Sequence, residues 1–170
     1  MAAILALDVG DVAAICEAAV ATTGYPVQVA NDNCPGQVVI SGDETALTEA
    51  MQRAQAAGAR KIVKLPITIA AHSALMASAA AEFAAAVEAT TITAPAIPVI
   101  GNVSAQPLTT PDEIRAELKA QLTARVRWTE SMNYLVAQRV DTVVEVGSGD
   151  VLQGLMKRIN RQVKREAFAA

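Results

Sequence analysis

The sequence predicts a mixed α/β chain: a βαββαβ unit followed by part of a parallel-stranded α/β sheet. Three observations carry this. The first 65 residues alternate regularly between strand-like and helix-like patterns. From residue 66 the rhythm changes to an alanine-rich helical stretch and short continuous apolar runs, as in strands covered on both faces. Finally, 170 residues with 52% hydrophobic and 18% charged side chains suffice for a buried core and exclude wholesale disorder. With aromatics at 3%, that core must be built from small and aliphatic side chains.

Residues 2–7 (AAILAL) read as a buried strand, and Asp8 can cap the helix that follows. Val12, Ile15, Cys16 and Ala19 recur at i, i+3, i+4, i+7, one face of that helix. Residues 25–30 (YPVQVA) are extended, Pro35-Gly36 turns the chain, and residues 37–41 (QVVIS) form the next strand. Asp43 caps a second helix whose Leu47, Ala50, Met51 and Ala54 share a face, and Gly58 ends it before residues 61–65 (KIVKL). The order β-α-β-β-α-β is the split, ferredoxin-like arrangement, with both helices on one side of an antiparallel sheet. Domain bounds of 1–66 and 67–170 follow.

In the second part a helix spans residues 73–88, with Met76, Ala79, Ala80, Phe83 and Val87 on one side. Residues 97–100 form a short strand. Thr110, Pro111 and Glu113 make a capping box with proline at the first helical position. A further helix covers residues 128–138, residues 142–146 (TVVEV) form a strand, and a glycine turn leads into a closing helix. These strands are too few for a complete parallel sheet, so the βαββαβ unit reads as an insert in a larger α/β fold that starts before Met1.

Composition excludes several functions. Fourteen Lys+Arg against seventeen Asp+Glu argue against a nucleic-acid binder. No apolar run approaches the roughly 18 residues of a membrane helix, and the N-terminal run lacks the basic segment of a signal peptide. Cys16 and Cys34 fit no metal or redox spacing, and metal-ligand clusters are absent. The default reading is a soluble, reduced, cytoplasmic chain.

Candidate chemistry is sparse. His72, the single histidine, lies between an extended segment and a helix for which Ser73 is the cap. It is either a loop histidine bonded to backbone or, at a helix N-terminus that favours the neutral ring, a general base. Gln121 falls at i+7 from Ile114 and i+3 from Leu118, placing an amide on an apolar stripe. Such an amide ties two segments together or serves a site. Asn31, Asn33 and Gln37 surround the Pro-Gly turn, where conformational preference alone accounts for an Asn. GSGD (147–150) reads as a tight connection without dinucleotide spacing. Lys157, Arg158, Arg161, Lys164 and Arg165 read as the solvated face of the closing helix. No serine or cysteine stands in a nucleophile frame.

The stretches MAAILALD, NDNCPGQVVISG, GARKIVKLPITIAAHSALM, PAIPVIGNVSA, QLTARVRWTESMNYL and VVEVGSGDVLQGLMKRI together resemble the malonyl-CoA:acyl-carrier-protein transacylases and the acyltransferase domains of polyketide synthases. They run through nearly the whole chain in family order. The resemblance implies a ferredoxin-like subdomain inserted into an α/β-hydrolase-like one, here only partly represented. It implies a ping-pong transfer of malonyl from CoA to the phosphopantetheine thiol of acyl carrier protein in fatty-acid synthesis. His72 would be the base for a serine nucleophile, Gln121 its orienting neighbour, Asn33 and Gln37 contacts for the CoA or pantetheine arm, and Arg60 and Lys61 a basic pair for the acidic carrier. No cofactor is implied beyond the CoA thioester substrate.

Two departures stand out. The family's P-S-H is Ala70-Ala71-His72 here, and its G-P-G-K is GSGD. The family's serine elbow, oxyanion loop and malonyl-binding arginine precede the point where Met1 aligns, so the chain is expected to carry the histidine half only. Alone it should be inactive, with the missing N-terminal half as a partner. The competing expectation is a non-catalytic, ferredoxin-like interaction module left from an acyltransferase.

Overall fold

The computed structural model describes residues 1–168. β1 (Ala2–Leu5), β2 (Val27–Cys34), β3 (Gln37–Gly42) and β4 (Lys61–Lys64) form one sheet in the order β2-β3-β1-β4, every neighbouring pair antiparallel. Only β2 and β3 are joined by a hairpin. The other connections run through α1 (Val9–Thr23) and α2 (Glu44–Ala56). Alternation along the strands decides which face is apolar: Ala2, Ile4, Val27, Val29, Val38 and Ile40 point one way. Val12, Cys16 and Ala19 of α1 and Leu47, Ala50 and Ala54 of α2 cover them, making a single buried layer. Small side chains let the two helices lie against each other as well as on the sheet. The Asp43 carboxylate caps α2 by accepting from Thr45 N–H at 2.8 Å, whereas Asp8 precedes α1 without a side-chain cap bond.

The rest of the chain meets this sheet chiefly along β2. A single turn of 3-10 helix (Ala74–Met76) leads into α3 (Ala77–Ala89). β5 (Val99–Ile100) and β6 (Pro107–Leu108) pair with each other, α4 (Pro111–Ala120) and α5 (Trp128–Ala137) follow, and β7 (Thr142–Val146) leads to α6 (Val151–Ile159) and β8 (Lys164–Phe168). A second, smaller apolar cluster gathers Met132, Met156 and Val163 with Trp128, Leu135 and Val143 around them.

β2 is the seam between the two parts. Val126 N–H donates to Ala30 C=O at 2.8 Å and Asp32 N–H to Val126 C=O at 2.9 Å, a parallel bridge against the edge strand. Beside it the Thr129 hydroxyl donates to the Asp32 carboxylate at 2.7 Å. Pairing an otherwise open strand edge in this way satisfies backbone groups that would be exposed.

The element order expected for the first 65 residues is the one observed, with β2 extended to Cys34 through two register irregularities. The second part departs from expectation in two ways. β5 and β6 are antiparallel and two residues long, so they are not part of a parallel sheet, and the only parallel strands among the described residues are β7 and β8. α6 stops at Ile159, and the basic run continues as β8. Arg161 is therefore in the turn and Lys164 and Arg165 are on a strand. Met132 is buried in the second cluster.

Candidate active site

Residues 70–74 and 120–126 meet at Gln28, on the sheet face away from α1 and α2. His72 sits at φ +58, in the left-handed region that a histidine occupies more readily than most side chains but that still costs energy. Its backbone is pinned at both ends: His72 N–H donates to Leu122 C=O at 2.9 Å, and His72 C=O accepts from Gln28 Nε2 at 3.0 Å. The half-buried ring points Nδ1 at two carbonyls, Gln121 O at 2.9 Å and Ala124 O at 3.1 Å. Carbonyl oxygens only accept. The neutral ring therefore carries its proton on Nδ1, which leaves the Nε2 lone pair outward. Nε2 makes no hydrogen bond among the described residues.

Ser73 sits next to His72, but its hydroxyl is engaged elsewhere. Its buried hydroxyl donates to Ala70 C=O at 2.7 Å and accepts from Leu75 N–H at 3.3 Å, which ends the loop and starts the 3-10 turn.

Gln121 stands beside His72, but its backbone carbonyl is what touches the ring. Gln121 forms the C-terminal cap of α4, and as a half-buried residue it lines an open groove of about 420 Å³ with Ile100, Asn102 and Leu118. The expected amide buried on the stripe is thus corrected: the position matters to the histidine through the main chain. Helix α4 reaches this point by a complete capping box. The Thr110 hydroxyl accepts from Glu113 N–H, and the Glu113 carboxylate accepts from Thr110 N–H at 2.9 Å and Thr109 N–H at 2.7 Å, which holds its pKa below the usual range.

Asn33 and Gln37 lie elsewhere, at the hairpin end of the sheet. Five residues of β2 separate Gln28 from Asn33, roughly 16 Å of strand. Gln37 Oε1 accepts from Arg158 Nη1 at 2.7 Å, and Arg158 also donates to Pro35 C=O at 3.0 Å. Helix α6 is in this way tied to the Pro-Gly turn, a role for Arg158 that the basic periodicity of the last segment conceals. Lys61 shares a row of the sheet with Gln37, since both pair with Leu5. Arg60 and Lys61 are both exposed and make no ion pair among the described residues. The structure therefore joins His72 with Gln121, and groups Gln37 with Arg60 and Lys61 at the other end.

The glycine turn 147–150 is also resolved in physical terms. The Glu145 carboxylate accepts from Leu152 N–H at 3.0 Å and Gln153 N–H at 2.9 Å, so the N-terminus of α6 is already occupied by an internal anion. Among the described residues no group of His, Cys, Asp and Glu is placed to hold a metal, and no helix is long and apolar enough to cross a membrane.

Known proteins are similar to this chain in sequence and in fold. The malonyl CoA-acyl carrier protein transacylase of Escherichia coli K12 is 43% identical over 159 residues, which is 94% of this chain and 51% of that one. The acyl carrier protein S-malonyltransferase of Vibrio cholerae superposes with a TM-score of 0.95 at 39% identity, covering 98% of this chain and 54% of that one. A malonyl-transacylase solved in complex with its type II polyketide acyl-carrier protein superposes at 0.92 with 35% identity, over 99% of this chain and 53% of that one. The chain spans about half the length of the relatives it matches. A family model described as the acyl transferase domain matches residues 5–169, and the chain belongs to that family.

Proposed function

We propose that the chain supplies the histidine half of a malonyl-CoA:acyl-carrier-protein transacylase working by a serine–histidine ping-pong mechanism. The observation that carries this is the ring of His72: two carbonyls hold Nδ1–H and leave Nε2 open as the basic atom. In the first half-reaction Nε2 takes the proton of a serine hydroxyl as its oxygen attacks the malonyl thioester carbonyl. The C–S bond then breaks, and the imidazolium returns the proton to the CoA thiolate. In the second, Nε2 deprotonates the phosphopantetheine thiol of the carrier, whose sulfur attacks the malonyl ester, and the serine recovers its proton. The two main-chain carbonyls take the place of the carboxylate that orients the base in other triads.

In this reading the serine comes from the polypeptide corresponding to the other half of the relatives, and no cofactor takes part beyond the CoA thioester. Asn33 and Gln37 would meet the long arm of that thioester, with the roughly 16 Å between Gln28 and Asn33 suited to an extended ligand. Exposed Arg60 and Lys61 would face the acidic carrier. Residues 1–66 are read as the ferredoxin-like subdomain, supported by the β2-β3-β1-β4 order and the shared helix layer. Residues 67–170 are read as the α/β-hydrolase-like part.

The test is transfer of labelled malonyl from CoA to holo carrier protein, by the 170-residue chain alone and mixed with a segment spanning the other half. The chain alone should transfer nothing and the mixture should be active. His72→Ala should lower the mixture's turnover by about 10²-fold or more. Undiminished turnover of His72→Ala would remove the histidine from the mechanism. Transfer by the chain alone would place a nucleophile within these residues.

A further inference from the structure

We propose that Gln28 is a positioning residue for His72, fixing through one side-chain amide both the loop that carries the ring and the loop that supplies the ring's acceptors. Gln28 stands on β2 between Val27 and Val29, whose side chains enter the main core. Its own side chain lies on the other face and makes three hydrogen bonds. Nε2 donates to His72 C=O at 3.0 Å and to Thr123 C=O at 3.1 Å, and Oε1 accepts from Ala74 N–H at 3.1 Å. Two acceptors at one end and one donor at the other fix which way the amide points.

The placement of these partners gives the amide its effect. Thr123 lies between Gln121 and Ala124, whose carbonyls receive the ring's Nδ1–H. One NH₂ group therefore holds the residue that bears the ring and the middle of the segment that orients it. The bond to Ala74 secures the far side of a residue whose left-handed φ of +58 would relax if the loop were loose. Remove the amide, and the ring can leave one or both carbonyls. The Nε2–H tautomer, which cannot accept a proton at Nε2, then becomes populated. The other ties across this seam, Thr129 to Asp32 and Val126 to Ala30 and Asp32, lie further along β2 and touch neither the ring nor the 121–124 carbonyls.

The inference rests on reading His72 as the base, but its readout is the ring and not turnover, so either idea can fail alone. Because the chain has a single histidine, its imidazole nitrogens give one assignable pair of signals in ¹⁵N-labelled full-length protein. In its neutral form the wild-type ring should show the Nδ1–H tautomer. Gln28→Leu, which removes all three bonds, should shift the tautomer ratio toward Nε2–H by about tenfold, the scale of a lost hydrogen bond. Gln28→Glu, which keeps the length and the acceptor but removes both N–H donors, should do the same. Thr129→Val, cutting a neighbouring tie, should leave the ratio unchanged. An unmoved tautomer in both Gln28 variants overturns the proposal, as does an equal shift in Thr129→Val or a mixed tautomer in the wild type. Loss of the dispersed amide spectrum in both Gln28 variants would make the residue a scaffold element and overturn it as well.

Discussion

Single residues show how burial and backbone geometry set chemistry here. His72 gains its direction from a strained φ and from carbonyls, groups that any residue type presents equally. Cys16 shows the opposite extreme, a reactive side chain silenced by its surroundings. It is buried between α1 and the sheet, and burial, with Glu17 adding to it, pushes its thiol up to about 12. Cys34, also buried, is raised by the same cause, though Arg158 nearby opposes the shift. Alkylation of the folded chain at pH 8 should therefore label Cys16 only as fast as the protein opens, with the rate rising steeply in denaturant. Rapid labelling in native buffer would show that the α1 layer is not closed. The sign of the linkage follows: a thiol raised in the folded state lowers stability as pH climbs from the unfolded thiol range toward 12.

At the scale of elements, two helices of the second part, α4 and α6, carry internal carboxylates at their N-termini. Glu113 caps α4, and Glu145, projecting from β7, caps α6 through Leu152 and Gln153. Both carboxyls are held below their usual pKa by backbone N–H donors. A depressed folded value means the stabilisation is present above the unfolded carboxylate range and is lost as pH falls through the folded value. Glu145→Gln should therefore reduce hydrogen-exchange protection of the α6 amides at neutral pH, and the difference from wild type should close as the solution is acidified. A pH-independent difference would mean that Glu145 acts through packing and not through its charge. Helix α3 has no comparable support: it is alanine-rich, and Val87 is its only buried residue.

For the whole molecule, the two parts are unequal in what they bury. The first has a closed apolar layer between four strands and two helices, while the second gathers a small cluster around Met132, Met156 and Val163. Exposed large apolar side chains divide the same way, three in residues 1–65 and eleven in 66–168, among them Ile97 at 78% and Val146 at 75% exposure. A surface of that kind favours association. Hydrogen exchange on the 170-residue chain should therefore show its strongest protection in β1, β3 and the helices packed on them, and markedly weaker protection in α3 and β7. Sedimentation should show concentration-dependent association that the complementary half suppresses. Uniformly high protection in a monomer would mean that the second part closes its own core, against the half-enzyme reading.

The sequence by itself determined the first sheet, its two helices and the start of α4. Each rests on local periodicity or a capping signal within a few residues, such as Val12-Cys16-Ala19 or Thr110-Pro111-Glu113. It also singled out His72 and Gln121 as candidates, and its resemblance to transacylases pointed to the family that the comparisons show. Only the tertiary structure decided what surrounds the candidates. The acceptors of the His72 ring lie 49 and 52 residues away and are main-chain oxygens, which no side-chain pattern can announce. The Gln28 amide bridges 44 and 95 residues of chain from near the start of a strand, where its outward position reads as ordinary alternation. The two-residue β6 is too short to carry a period, and β8 is hidden because its charged residues continue the basic run of α6. Local order is written in neighbouring side chains, whereas the site depends on which distant backbone segments the packed sheet brings together.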